Sequence, residues 1–337
     1  MKITKGRKKD HVDIVLKKGV QYQKGPGFSE VMLVHQALPE ADFGKVSLKA
    51  KFLGKTLEAP LVIEAMTGGY PEGGKINRKL AEIAEKTGVA MGLGSQRAMV
   101  EDPSLKDTYY IRDVAPSVPL IANIGAFQLK KYGIAKIGDM VSKVDADALA
   151  VHLNPLQEII QPEGDRDFSG VVEAIGLACE QLSVPVIAKE TGAGIGSKAA
   201  SLLKEAGVKY IDVAGAGGTS WSAIEYERGG GVPGFADWGI PTVACILADR
   251  GILPVIASGG VRSGIDAAKA IALGAELAGA AQPFLLAYSK GKLETEVDTW
   301  KEQLKVAMFL TGSKDVQSLR SAKAFVPTGL KELAGQV

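Results

Sequence analysis

The stretch "LPVIASGGVRSG" (Leu253–Gly264) changes character at its middle. The first half is apolar and β-favouring, and the chain then turns on Gly259 and Gly260. Ser263 follows, with Asp266 three residues later, the pattern of a capping box that opens a helix. An apolar strand, a glycine turn and a capped helix make one βα unit. The same alternation extends in both directions. Strand-like runs recur as "PLVIEAM" (60–66), "VAMGLGS" (89–95), "PLIANIGA" (119–126), "DALAVHL" (147–153), "VPVIAKE" (184–190), "YIDVAGA" (210–216), "LPVIASGG" (253–260) and "LAGAAQPF" (277–284). Helical patterns lie between most of them. Ile76, Leu80, Ile83, Ala84 and Thr87 keep helical spacing and stop at Gly88, and Ser197 is placed to cap a helix carrying Leu202, Leu203 and Ala206 before Gly207.

Strands alternating with helices pair in parallel through right-handed crossovers. Eight such units close into a (β/α)8 TIM barrel of roughly 250 residues, which residues 60–311 match in size. The expected organisation is an N-terminal extension, 1–59, as a cap on the barrel, then a barrel with a C-terminal helical segment, 60–337. The competing fold is an open doubly wound sheet. Its glycine fingerprint occurs only as "GGGVPG" (Gly229–Gly234), which follows "SAIEYER" and no strand. The connection around it, about 36 residues between the sixth and seventh runs, is long enough to suggest a lid.

At 337 residues, 46% hydrophobic and 23% charged, the chain is globular in composition. A net charge of +2 gives no reason to expect nucleic acid or a membrane surface as partner. No run of 18 apolar residues occurs, and the basic N-terminus lacks the apolar stretch of a signal peptide, so a cytoplasmic location is expected. The two cysteines, Cys179 and Cys245, stand in apolar helical contexts and read as buried thiols.

Active sites of such barrels lie at the C-terminal ends of the strands. Here nearly every strand-like run ends in glycine or polar side chains: Met66–Gly69, Ser95–Arg97, Asn123, then His152, Asn154, Gln157 and Glu158, then Lys189 and Glu190. Any one of these is explained by a turn; their recurrence at one strand end after another points to a site. Gly259, Gly260, Ala280 and Ala281 follow the last two strands, where a glycine turn and a helix N-terminus favour a phosphate. Lys189 closes an apolar strand, so its charge calls for an anionic or electron-rich partner. The basic run "GRKKDH" (Arg7, Lys8, Lys9, His11) reads by itself as a solvated tail.

In these residues the chain resembles the flavin-dependent, type 2 isopentenyl diphosphate isomerases. The resemblance rests on "RKKDH", "AMTGG" (65–69), "GSQR" (94–97), "HLNPLQE" (152–158), "AKETG" (188–192), "GTSW" (218–221), "SGGVRSG" (258–264) and "GAAQPF" (279–284), in order along nearly the whole chain. Glu64 departs from it, since a small or neutral residue is expected there. The resemblance implies FMN, kept reduced by NAD(P)H or another reductant, together with Mg²⁺. It also implies conversion of isopentenyl diphosphate to dimethylallyl diphosphate with no net redox change, and a homo-oligomer, tetramer or octamer.

Carried over by position, the resemblance implies FMN contacts at Ala65, Met66, Thr67, Ser95, Asn123, Lys189 and Thr219. The FMN phosphate would lie on Gly259, Gly260, Arg262, Ala280 and Ala281. The diphosphate would be held by Arg7, Lys8, Ser95, Gln96 and Arg97, with His11 and His152 near it, which turns the basic tail into part of the substrate site. Glu158 would hold Mg²⁺. Gln157 would face the hydrocarbon end and orient it or relay a proton, since an amide is no effective general base at neutral pH. His152 and Asn154 would shape the pocket, and Gln157, Lys189 and His152 are the expected catalytic residues.

Three other readings compete. A 2-hydroxy acid oxidase shares the barrel and phosphate loops but needs a histidine base. All three histidines, His11, His35 and His152, lie in the first half of the chain. An inosine monophosphate dehydrogenase-like enzyme needs a loop cysteine, and both cysteines here lie in helical patterns. A non-catalytic flavin- or phosphate-binding barrel would not require Arg97, Gln157, Glu158 and Lys189 together.

Overall fold

A computed structural model describes residues 2–18, 20–230 and 232–337; within the first helix the side chains described are those of Lys8 and residues 10–17. Eight parallel strands close into a barrel in sequence order. They are β1 (Leu61–Ile63), β2 (Ala90–Gly92), β3 (Leu120–Gly125), β4 (Ala148–Leu153), β5 (Val186–Glu190), β6 (Tyr210–Asp212), β7 (Val255–Ala257) and β8 (Leu277–Ala280). β8 pairs β1 through Ala278 opposite Leu61, which closes the ring.

The strands are buried on both faces, as parallel strands wrapped by helices must be. Val62, Ala90, Ile121, Ala150, Ile187, Ile256 and Leu277 fill the barrel. Ile63, Met91, Val151 and Ala188 face outward into a second core beneath the helices. The expected extension divides in two. An antiparallel hairpin, Ala50–Phe52 with Lys55–Leu57, drives Phe52 and Leu57 into the barrel's inner core and plugs its floor. Helix α1 (Lys2–Lys18) lies instead at the mouth, so the described residues of the extension serve both ends of the barrel.

The helices that carry the site are α2 (Pro71–Thr87), α3 (Pro155–Ile160), α4 (Trp221–Glu227), α5 (Thr242–Asp249), α6 (Gly264–Ala272) and α7 (Gln282–Ser289). Helix α2 ends at Gly88 in the left-handed conformation, as its periodicity predicts. At α6, Ser263 Oγ accepts from Asp266 N at 3.1 Å, but the Asp266 carboxylate accepts from Arg262 N and not from Ser263. The expected capping box is half formed. Gly196, not Ser197, is the N-cap of the helix Ser197–Glu205. Gly229–Gly234 follows helix α4 and no strand. Cys245 is buried, whereas Cys179 is half-buried, and both are free thiols. Among the described residues no helix is long and apolar enough to cross a membrane.

Candidate active site

The C-terminal ends of the strands surround a cavity of about 260 Å³. One wall is made of backbone. Gly259 and Gly260 have φ of +94° and +73°, and a Cβ on Gly259 would stand 2.2 Å from the carbonyl oxygen of Gly215. On Gly260 it would stand 2.6 Å from that of Gly217. Only glycine at both positions lets the loops after β6 and β7 meet. Ala280 and Ala281 bring the start of α7 to the same wall. Arg262 bridges the rim by donating to Gln21 Oε1 and, at 3.1 Å, to the Gly217 carbonyl.

The facing wall comes from β4 and α3. His152 Nδ1 lies 2.7 Å from Asn123 Oδ1; with that oxygen as acceptor, Nδ1 carries the ring proton. Asn154 Nδ2 donates to Glu158 Oε1 at 2.9 Å, and Asp165 N to Glu158 Oε2 at 2.8 Å. Neutral donors thus fix a buried carboxylate at the cavity wall. Among the described residues no group of three or more His, Cys, Asp or Glu could hold a metal. Mg²⁺ usually takes only one or two carboxylates and completes its octahedron with water and phosphate oxygens. Glu158 therefore fits an ion that arrives with a phosphorylated ligand better than a resident protein-only centre.

Above this wall sits Glu225 of α4, fully buried. Its Oε1 lies 3.0 Å from both Gln157 Nε2 and His11 Nε2, and Arg228 pairs with Oε2. Burial alone would raise this carboxyl, but the hydrogen bond and charge of His11, the Gln157 amide and Arg228 together hold it at about 2. His11 also packs edge-on to Trp221, with ring centroids 4.9 Å apart.

Near the first and second strands, Lys8 Nζ donates to the Ser95 carbonyl and the Tyr109 hydroxyl, each at 2.6 Å. Arg97 faces the cavity while bound to Glu101 at 2.9 Å. On the floor, Lys189 Nζ is paired with Asp212 and lies 3.1 Å from Glu64 Oε2. Burial would lower the lysine, but its pairing with Asp212 first and with Glu64 second raises it, so it stays a cation.

Nearly all the expected site residues meet at this cavity: Lys8, His11, Ala65, Met66, Ser95, Arg97, Asn123, His152, Asn154, Gln157, Glu158, Lys189, Thr219, Gly259, Gly260, Arg262, Ala280 and Ala281. Two do not line it. Thr67 is buried and turns its hydroxyl to Tyr70. Gln96 is fully buried behind the wall, where Asn123 N donates to its Oε1. The Arg7 side chain lies outside the described residues. The sequence reading missed Glu225, Asp212, Ser258 and Gln21. Asp212 offered a signal, because a carboxylate within an apolar strand requires a partner. Glu225 offered only its spacing of three from Arg228.

The residues fit FMN: a glycine turn whose backbone can approach a phosphate, and a buried cation beside it, bonded to Ser258, for an electron-rich ring edge. Residues 170–325 match the family model for FMN-dependent dehydrogenases. A mandelate oxidase solved with a monooxide FMN adduct superposes with a TM-score of 0.64 over 90% of each chain at 18% identity, which shows the shared fold. Over 98% of both chains the protein is 48% identical to an isopentenyl-diphosphate delta-isomerase of Archaeoglobus fulgidus. It is also 48% identical to one of Methanothermobacter thermautotrophicus over 95% of this chain and 93% of that one. With near-full-length identity at this level, the chain belongs to the isopentenyl-diphosphate delta-isomerase family.

Proposed function

We propose that the protein converts isopentenyl diphosphate to dimethylallyl diphosphate, adding a proton at the terminal methylene and removing one from C2. The observation that carries this reading is the near-full-length identity to isomerases of that name, joined to a cavity with a glycine-lined backbone wall on one side and carboxylate and amide groups on the other. Reduced FMN, when bound, supplies an electron-rich face that stabilises positive charge developing on the alkene. Lys189 would hold its N1–C2 carbonyl edge, and Gly259, Gly260, Ala280 and Ala281 its phosphate, with Arg262 at the rim.

The chain's own groups divide the remaining work. Arg97, Lys8 and the Ser95 loop would bind the diphosphate, and Arg7 belongs to the same reading. Glu158 would hold Mg²⁺ against the diphosphate oxygens, since a hard cation prefers oxygen ligands. Glu225, ionised and acceptor-only, pins the amide of Gln157 so that the amide orients the hydrocarbon end. A carboxylate held at about 2 is a weak base, so Glu225 acts by positioning. His152, tied through Nδ1 to Asn123, lines the cavity and would shape the pocket around the substrate. NAD(P)H would serve as reductant, and a homo-oligomer is the expected assembly, to be read by light scattering.

The test is product analysis under anaerobic conditions with FMN, a reductant, Mg²⁺ and isopentenyl diphosphate. Dimethylallyl diphosphate should form only when the flavin is reduced. A yellow protein that forms none keeps the cofactor and removes the substrate assignment.

A further inference from the structure

The cavity floor holds two acids on one base. Glu64 follows β1, Lys189 lies on β5 and Asp212 on β6, and all three are largely buried. With both carboxylates ionised the floor carries one uncompensated negative charge where water has little access, which is costly. One acid must keep its proton, and geometry selects which. Asp212 is held twice, by Lys189 at Oδ2 and by the Ser258 hydroxyl at Oδ1. Glu64 meets the ammonium only at 3.1 Å. Burial first and the Asp212 charge second push the Glu64 carboxyl up, outweighing Lys189.

The rest of the floor accommodates Glu64. Glu64 N donates to the Ala280 carbonyl at 3.0 Å, and a Cβ on Gly279 would stand 2.1 Å from Glu64 Oε1. Glycine at 279 therefore makes room for the carboxyl at 64. Among the described residues, the charged groups whose fields bear on Glu64 are Asp212 and Lys189; β8 contributes Gly279, and Ser258 after β7 is neutral.

We propose that Glu64 is a positioning residue that carries a proton at neutral pH, keeping the Glu64–Lys189–Asp212 floor electroneutral and leaving the Lys189 ammonium able to hold an anionic ring edge of bound FMN. This rests on the reading that FMN sits over Lys189. Two electrons and one proton turn oxidised FMN into its reduced anion. A neutral floor accepts that added charge, and a floor of charge −1 opposes it. The preference for reduced over oxidised FMN therefore declines as pH rises and Glu64 loses its proton.

The experiment measures dissociation constants of oxidised and dithionite-reduced FMN from pH 7 to pH 9, for the wild type, Glu64→Gln and Asp212→Asn. In the wild type the ratio should fall with pH, by at most about tenfold per pH unit for one proton. Glu64→Gln should hold it constant. Asp212→Asn should do the same, because Glu64 is then the sole counter-ion of Lys189 and stays ionised. A flat wild-type ratio overturns the proposal without any variant, and so does a decline in Glu64→Gln parallel to the wild type. Flat ratios with FMN bound remove this inference alone, whereas a protein that binds neither form of FMN removes the cofactor reading and the inference with it.

Discussion

Gln157 Nε2 donates to Glu225 Oε1 across 3.0 Å, joining α3 to α4 over a sequence separation of 68 residues. A carboxylate only accepts hydrogen bonds, so the amide must turn its nitrogen toward Glu225, and its oxygen is left to Asn154 Nδ2 at 3.3 Å. Gln157 is thereby held in one orientation at the cavity. The same Glu225 oxygen also fixes His11 of α1, so one buried carboxylate ties the N-terminal helix to the mouth of the barrel.

Glu225→Gln should lower kcat more than it raises KM, by about tenfold or more, since a misplaced orienting group costs rate. It should also cost about 1–3 kcal/mol of stability by leaving Arg228 and His11 with a weaker partner. Steady-state kinetics beside thermal melts read both effects. Unchanged kcat in a folded variant would remove Gln157 positioning from the mechanism.

Arg97→Ala should raise KM by about 10–100-fold, the range for losing a hydrogen bond to a charged group. Its kcat should change little, because a diphosphate contact is made equally in ground and transition states. A fall in kcat at constant KM contradicts a binding role for Arg97.

Glu158→Gln should shift the Mg²⁺ titration of activity to higher concentration by about tenfold or more, since the neutral amide is a far poorer ligand for a hard cation. A titration that overlays the wild type would place the metal elsewhere.

Gly259→Ala forces a Cβ to 2.2 Å from the Gly215 carbonyl at a φ of +94°. The loops must part, at a cost of about 1–3 kcal/mol in strain, and FMN retention should fall with them. Gel filtration with absorbance at the flavin band measures retention. Full retention at wild-type affinity argues against a phosphate cradle at this turn.

Asp249, buried at the end of α5, has no hydrogen-bond partner for either carboxylate oxygen among the described residues, and burial raises it from 3.8 to about 7. The folded state thus holds a proton that the unfolded chain has released. Stability falls as pH rises from about 4 to about 7 and does not return above it. Asp249→Asn should flatten this part of the profile, so urea midpoints at pH 5 and pH 8 should differ less in the variant. Equal differences in the two proteins would mean that Asp249 is solvated in the folded state.

Much of this was legible in the chain itself. Apolar runs of strand length separated by helical patterns imply a closed parallel barrel, because each strand must be buried on both faces and each crossover needs a helix. The position of a residue just after such a run places it at one mouth, which is why Lys189, His152, Gln157 and the Gly259–Gly260 turn could be assigned by number alone. Which way a side chain points after the strand ends is another matter. Thr67 and Gln96 share motifs with cavity residues yet turn into the wall, toward Tyr70 and the Asn123 backbone. Glu225 lies on a helix within a long connection, and Asp212 within an apolar run; each acquires its role from a partner distant in sequence. Local pattern is set by the period of the backbone and the demand to bury apolar surface, so the sequence alone determined the barrel and its rim. The charge balance at Lys189 and the anchoring of Gln157 arise from contacts between strands and helices remote in the chain, and only the closed tertiary structure decided them.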